Sequence, residues 1–253
     1  MALSRSSSSK WAHPLRALAV TFVFAGGCSG AARLRPELAK AGSNALALSD
    51  ALEDLIAQGR DTEEDRDAAY DLVRTLPADN AGDAFGHAAI AGRDAEKKGA
   101  MSLFSSEKNP SNLVGEAERY AIMSREKDPE FRDGAATRML GTLWVLAPAD
   151  MVKHGDSEAG IDLLEKLAAS KPDVPQNQLR LAEAYIALHD KGSARTPLCK
   201  SVAARSTFRR DDQQLLAKLL DEMKPFSCPA PAGPAGASSA PKDASAPAAR
   251  TED

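Results

Sequence analysis

Aromatic residues are scarce in this chain of 253 residues: they make up 5% of the sequence, although hydrophobic residues as a class make up 43%. β-Strands favour aromatic and β-branched side chains, whereas Ala and Leu favour closely packed helices. Because Ala is abundant where aromatic residues are few, the composition predicts an all-α fold with little or no sheet. The length suits one sizeable domain or two small ones.

Enzyme motifs are also lacking. The sequence has no Gly-rich phosphate loop, no Gly-x-Ser-x-Gly, no His-Glu-x-x-His and no Cys-x-x-Cys. His154 has Asp156 and Glu158 close by and could contact a metal ion, but a solvated turn explains these residues better. We therefore predict a protein that is not an enzyme and that uses no cofactor and no metal.

The acidic run 61–65 has two explanations. A calcium-binding loop alternates its ligands around a central Gly, which this run does not contain. Carboxylates are also favoured at the start of a helix, where the macrodipole and the unpaired amides attract negative charge. The run is therefore interpreted as a helix entry.

The apolar run 17–25 is too short to cross a bilayer as a helix, which takes about 20 residues. It follows a basic, Ser-rich start and leads into Ala25-Gly26-Gly27-Cys28, a pattern that resembles a bacterial lipoprotein signal. Residues 1–27 are therefore predicted to be a signal peptide, and residues 28–33 a lipid anchor on Cys28 with a short linker. The alternative is ordinary signal cleavage with an incidental cysteine, because Leu is commoner than Ala three residues before the Cys.

A lipidated Cys28 would tether the protein to a membrane surface after export. Ser29, the next residue, favours the outer membrane by general sorting habits, so we expect the protein on the periplasmic face of that membrane. The signal peptide carries three basic residues and no acidic one, which leaves 29 of the 32 basic residues against 36 acidic ones, a net charge of about −7. An acidic surface argues against nucleic-acid binding.

Cys199 and Cys228 are the cysteines that remain after the anchor. Export implies an oxidising compartment, in which a disulfide closing this loop could stabilise the fold by roughly 3 kcal/mol. Two unpaired thiols are the alternative, and the sequence leaves both open. Residues 227–253 are rich in Pro, Ala and Ser and are predicted to be a disordered tail, so the folded domain is expected to span residues 34–226.

Helical periodicity and a repeat organise this domain. Gly160 and Leu164 recur 34 residues later as Ala194 and Leu198, and the pattern of Gly141 with Trp144 recurs 41 residues later as Ala182 with Tyr185. The longer spacing equals 34 plus a seven-residue insertion at 147–153. Small residues at this period let paired helices approach closely, which is the tetratricopeptide pattern.

The sequence thus predicts a right-handed solenoid of about four antiparallel helix pairs, divergent tetratricopeptide repeats, with a capping helix at 210–223. A protein partner would bind the concave wall formed by the first helix of each pair. Arg138 is the best anchor, because Arg can hold a carboxylate with two hydrogen bonds; an ordinary inter-repeat salt bridge is the alternative. The residues expected on this wall are Arg138, Thr142, Gln176, Leu179, Arg180 and Glu183.

The same region resembles a known family, the T component of tripartite ATP-independent periplasmic (TRAP) transporters. The resemblance covers roughly residues 45–222 and is best at 128–204. It depends on an Arg-x-Leu-Gly motif, an inserted Ala-Pro segment and an Asn-x-Leu-x-Leu-Ala-Glu motif, which begin at Arg138, Ala147 and Asn177.

This resemblance implies an accessory periplasmic lipoprotein that docks a solute-binding protein and can form a homo-oligomer. The first two repeats depart furthest from the family pattern, and His189 and Lys191 stand where a Gly-Asp turn is usual. The alternative function is a generic tetratricopeptide lipoprotein that assists envelope assembly and has no role in transport.

Overall fold

The computed structural model describes residues 34–98 and 110–228, and within these ranges it contains ten α-helices and no β-strand. The expected all-α fold is confirmed for this part of the chain. The predicted signal peptide, Cys28 and the tail beyond residue 228 lie outside the described residues. The helices are α1 Pro36–Ala41, α2 Ala45–Gln58, α3 Glu63–Val73, α4 Ala81–Lys98, α5 Pro110–Lys127, α6 Ala135–Leu146, α7 Ser157–Ser170, α8 Pro175–Ala187, α9 Lys191–Ala203 and α10 Arg210–Glu222.

Side-chain caps mark the start of five helices. Asn44, Asn80, Asp156 and Asp190 each accept a hydrogen bond from the backbone N–H three residues later, at 2.8–3.0 Å. Thr62 and Asp65 form a reciprocal capping box at the start of α3. The acidic run is therefore a helix entry, with three of its carboxylates in the first turn of α3.

Helices that follow one another in the chain pack as antiparallel pairs: α4 with α5, α6 with α7, and α8 with α9. The α6–α7 crossing requires glycine, because a Cβ at Gly141 would lie 2.6 Å from Leu164 Cγ and 2.9 Å from the Gly160 carbonyl oxygen. The other small residues that the repeat placed at crossings, Ala182 and Ala194, are fully buried.

A second set of contacts joins the even-numbered helices. α2 contacts α4, α6 contacts α8, α8 contacts α10, and α10 contacts α2. The α2–α4 contact is close because Gly86 lies directly against the backbone of Ala45, where a Cβ would overlap it. α10, predicted as a cap on the last pair, therefore also reaches the first part of the domain.

Apolar side chains fill the spaces between the helices. One cluster contains side chains from each of the first five helices and includes Leu48, Leu52, Ile90 and Leu113. Another joins α8, α9 and α10 through Leu179, Leu198 and Leu216. None of the helices in the described ranges is both long and apolar enough to cross a membrane.

Cys199 in α9 and Cys228 beyond α10 form a disulfide, with their Cα atoms 5.5 Å apart. The bond ties the segment after α10 to α9. In the same segment, the ring of Phe226 lies 5.2 Å from the Arg195 guanidinium carbon. Of the two cysteine states that the sequence left open, the structure contains the paired one.

Candidate functional site

Three arginines from alternate helices meet acidic side chains where the even-numbered helices contact one another. They come from α4, α6 and α8, and their acidic neighbours come from α2, α8 and α10. Every one of these residues is buried or partly buried. We call this set the charged cluster, and its members are Glu53, Arg93, Arg138, Arg180, Glu183, Asp211 and Asp212.

Arg93 is saturated by carboxylates. Its Nε and Nη2 donate to the two oxygens of Glu53 at 2.6 and 2.8 Å, and Nη2 also donates to Asp211 Oδ2 at 2.9 Å. Burial acts to lower the pKa of Arg93, but Glu53, Glu96 and Asp211 outweigh it and raise the pKa. Burial likewise acts to raise the pKa of Asp211, which Arg93 holds below its usual range. Arg93 therefore ties α4 to α2 and α10.

Arg180 is also paired with carboxylates. Its Nη1 donates to Glu183 Oε2 at 2.9 Å and its Nη2 donates to Asp212 Oδ1 at 3.2 Å. Burial opposes the charge of Arg180, but Glu183 and Asp212 raise its pKa. Burial dominates at Asp212 and raises its pKa. This ion pair connects α8 to α10.

Arg138 differs from the other two arginines. Its Nη1 donates to Asn177 Oδ1 at 2.7 Å, and among the described residues it has no carboxylate within salt-bridge distance. Burial, and then the positive charge of Arg180, lower the pKa of Arg138 to about 10. The attraction of Asp212 and Asp133 does not offset these effects. The inter-repeat salt bridge considered for Arg138 is thus replaced by a hydrogen bond to a neutral amide.

The residues predicted for the concave wall divide into two groups. Arg138, Arg180 and Glu183 come together in the charged cluster, and Gln176 is partly exposed in the first turn of α8. Leu179 is 0% exposed and packs in the core, so it is not available to a partner.

The reason lies in the helical period. Positions 176, 180 and 183 share one face of α8, whereas Leu179 is rotated from Arg180 by about 100° and joins Ala182 and Ile186 on the core face. The Thr142 hydroxyl donates to the Arg138 carbonyl oxygen at 2.8 Å, within its own helix.

Several members of the cluster have no signal in the sequence. Arg93 and Asp211 are 118 positions apart, and no local pattern connects them. Asp211 and Asp212 stand in the first turn of a predicted helix, where acidic residues have an ordinary explanation. Asn177 belongs to the Asn-x-Leu-x-Leu-Ala-Glu motif, but its contact with Arg138 depends on the packing of α6 against α8.

A second buried charge lies where α5 meets the loop between α6 and α7. Glu118 is 0% exposed, and its carboxylate accepts hydrogen bonds from the backbone N–H groups of Lys153 and His154, both at 2.9 Å. Trp144 Nε1 donates a third at 2.8 Å. Burial acts to raise the pKa of Glu118, but these donors outweigh it and hold the pKa below its usual range. Glu118 therefore fixes the predicted insertion at 147–153.

The same loop contains the residues considered for metal binding. His154 Nδ1 lies 3.3 Å from Glu118 Oε2, and the Asp156 carboxylate caps α7. The described parts of the chain contain no group of three or more side chains placed to hold a metal ion.

His87 is a buried histidine outside the cluster. Its ring stacks on Tyr120 with the centroids 4.4 Å apart, and its Nε2 lies 3.2 Å from the Leu76 carbonyl oxygen. Burial lowers the pKa of His87, which favours the neutral ring, and the stack on Tyr120 joins α4 to α5.

No protein-family model matches this chain, and no curated protein is significantly similar to it in sequence.

Proposed function

We propose that this protein is an exported, lipid-anchored interaction scaffold of divergent tetratricopeptide-type helix pairs, arranged as a right-handed solenoid, whose even-numbered helices bind a protein partner. The agreement between the 34-residue spacing and the packing carries this proposal. Gly160 and Ala194, which are 34 positions apart, are both buried, as are Leu164 and Leu198. Recurrent small residues at recurrent helix contacts are typical of such repeats.

The choice of surface rests on the charged cluster. In a helical repeat, the first helices of successive pairs lie side by side and present their polar residues to ligands. α6 and α8 contact each other directly, and Arg138, Arg180 and Glu183 lie on them, partly exposed. A partner that lies along α6 and α8 would meet these side chains.

The more specific proposal is an accessory T component of a TRAP-type transport system that docks a periplasmic solute-binding protein. Its support is the residue pattern at 128–204, including the insertion at 147–153. In this loop the backbone N–H of Lys153 binds the Glu118 carboxylate. The insertion is thus held against α5 at the connection between α6 and α7.

Position-specific photocrosslinking in intact cells tests the proposal. A photoreactive residue replaces Gln176, on the same face of α8 as Arg180, or Lys166, which is 73% exposed on α7. We expect a protein crosslink at Gln176 and none at Lys166, and mass spectrometry identifies its owner. If the crosslinked protein is a solute-binding protein, the transporter role is supported. If only envelope-assembly proteins are crosslinked, the generic scaffold role is supported instead. No crosslink at Gln176, or equal crosslinks at both positions, would contradict the scaffold.

Mass spectrometry of the mature N-terminus tests the anchor. We expect a chain that begins at a lipidated Cys28, and Cys28→Ala should release the protein from the membrane fraction. An unmodified terminus at another residue would contradict the anchor and leave the crosslinking test unaffected.

A further inference from the structure

Arg138 has far more hydrogen-bonding capacity than its surroundings use. A guanidinium presents five N–H donors, and in the described residues one contact is made, to Asn177 Oδ1 at 2.7 Å. The side chain is only partly exposed to solvent, so water replaces the missing partners incompletely. A charge held in this way is unfavourable unless a counter-charge arrives.

The neighbouring acidic groups are already engaged. Glu183 and Asp212 both pair with Arg180, and Asp211 pairs with Arg93. Asp133, which lies just before α6, acts on Arg138 only at a distance, without a salt bridge. Arg138 therefore has no ion-pair partner of its own among the described residues, because the carboxylates of this part of the cluster pair with Arg180 and Arg93.

We propose that Arg138, held in place by Asn177, binds a carboxylate group that approaches between α6 and α8. The inference rests on the proposed function and deepens it by naming the chemical group that the surface recognises. A carboxylate matches the planar fork of a guanidinium and accepts two parallel hydrogen bonds from it. Asn177 occupies one donor of Nη1, which leaves the other donors of the guanidinium for the ligand.

Asn177 acts here as a positioning residue. It is 0% exposed, and its Nδ2 donates to the Lys171 carbonyl oxygen at 3.4 Å, which orients its Oδ1 toward Arg138. The guanidinium is thus directed from α6 toward the start of α8. Such preorganisation lowers the entropy lost when the ligand binds.

Two sources can supply the carboxylate: an acidic side chain of the protein partner, or a free organic acid. Titration of the full-length chain in detergent uses succinate as the probe, succinamide as its neutral isostere and sulfate as another anion. Calorimetry gives the affinity, and the ¹⁵N chemical shifts of the arginine side chains report the residue that binds. We expect saturable succinate binding that shifts the Arg138 signal, weaker binding of sulfate, and none of succinamide.

Variants assign the binding to this guanidinium. Arg138→Lys keeps the charge and loses the fork, and we expect it to weaken succinate binding by about ten- to a hundredfold. Arg138→Met should abolish binding. Arg119, which is 54% exposed on α5, provides the matched control; Arg119→Met should bind succinate like the unmodified protein. Thermal unfolding verifies that each variant is folded.

No saturable succinate binding, or equal binding by Arg138→Met and Arg119→Met, would overturn the inference. The crosslink at Gln176 distinguishes the two sources. If Arg138→Met loses this crosslink, the carboxylate belongs to the protein partner. If Arg138→Met keeps the crosslink while the unmodified protein binds succinate, the carboxylate comes from a free acid. A crosslink without any succinate binding leaves the scaffold and removes the carboxylate site. Succinate binding without a crosslink supports the carboxylate site and contradicts the scaffold.

Discussion

Glu118 and Arg138 are two charges held largely away from water on neighbouring helices, and their surroundings are opposite. Glu118 accepts hydrogen bonds from three N–H groups that converge from α6 and the loop after it. Arg138 has a single neutral partner in Asn177. A buried charge with a complete set of hydrogen-bond partners stabilises the fold. A buried charge without them does not, so we infer that Arg138 serves binding. The comparison assigns stability to the first residue and binding to the second.

Glu118→Gln should lower the stability of the protein more than any other substitution considered below. The amide keeps one acceptor oxygen but places an NH₂ group against N–H donors, so we expect the free energy of unfolding to fall by about 2–4 kcal/mol. Urea denaturation followed by circular dichroism measures the loss. A loss below about 1 kcal/mol would show that Glu118 is not the clamp of the α6–α7 loop.

A substitution at Gly141, where α6 crosses α7, tests whether close helix packing contributes to stability independently of these charges. Gly141→Ala brings a Cβ to 2.6 Å from Leu164 Cγ, and we expect a loss of about 2 kcal/mol. Gly92→Ala is the matched control in α4, because its Cβ would meet nothing nearer than Met139 Cε at 3.9 Å. That variant should be stabilised by about 0.5–1 kcal/mol through helix propensity. Equal effects of the two substitutions would contradict the close crossing.

Trp144→Phe removes one of the three donors to Glu118 and keeps most of the ring packing. We expect a loss of about 1.5 kcal/mol, smaller than that of Glu118→Gln. In the double variant the two losses should not add, because both act on the same carboxylate. Additive losses in a double-mutant cycle would separate Trp144 from the clamp.

The pH dependence of stability sharpens the same comparison. The pKa of Glu118 is lower in the folded state than its ordinary value near 4.3. Its stabilisation is therefore complete above about pH 4.3 and is lost as the pH falls through the lower folded-state pKa. Glu118→Gln should flatten this acid limb of the stability profile. An unchanged profile in the variant would assign the acid sensitivity to other carboxylates.

Arg138→Met should have the smallest effect on stability, although the side chain is partly buried. Met fills a similar space, and the substitution removes a charge that forms no salt bridge with the described residues. We expect the free energy of unfolding to fall by no more than about 1 kcal/mol, because the lost bond to the buried Asn177 Oδ1 is offset by the removal of a charge without a salt bridge. A loss above about 2 kcal/mol in urea denaturation would place Arg138 with Glu118 as a structural charge.

The second half of the domain was the more predictable part of the fold. Asp156 and Asp190 are local capping signals, and the recurrence from Gly160 to Ala194 reflects helix pairs that contact their neighbours. α4 gave no comparable signal, because its buried face is built mainly from alanine, and its close approach to α2 depends on Gly86. Single small residues without large neighbours do not reveal which helix they contact.

The charged cluster could be predicted only in part. Arg138, Arg180 and Glu183 follow from the polar stripe of α6 and α8, whereas Leu179 was wrongly included because one position on a helix rotates a side chain into the core. The partners of Arg93 come from α2 and α10, and they meet only once α10 packs against the start of the domain. Such long-range pairing is set by the tertiary fold.

Unfolding of the full-length chain and of Arg138→Met, each with and without succinate, tests the central claim most directly. A ligand that binds only the folded state at ten times its dissociation constant raises the free energy of unfolding by about 1.4 kcal/mol. We predict this increase for the unmodified protein and none for Arg138→Met, whose stability without succinate is lower by no more than about 1 kcal/mol. An equal increase in both proteins, or no increase in either, would contradict the assignment of Arg138 to binding.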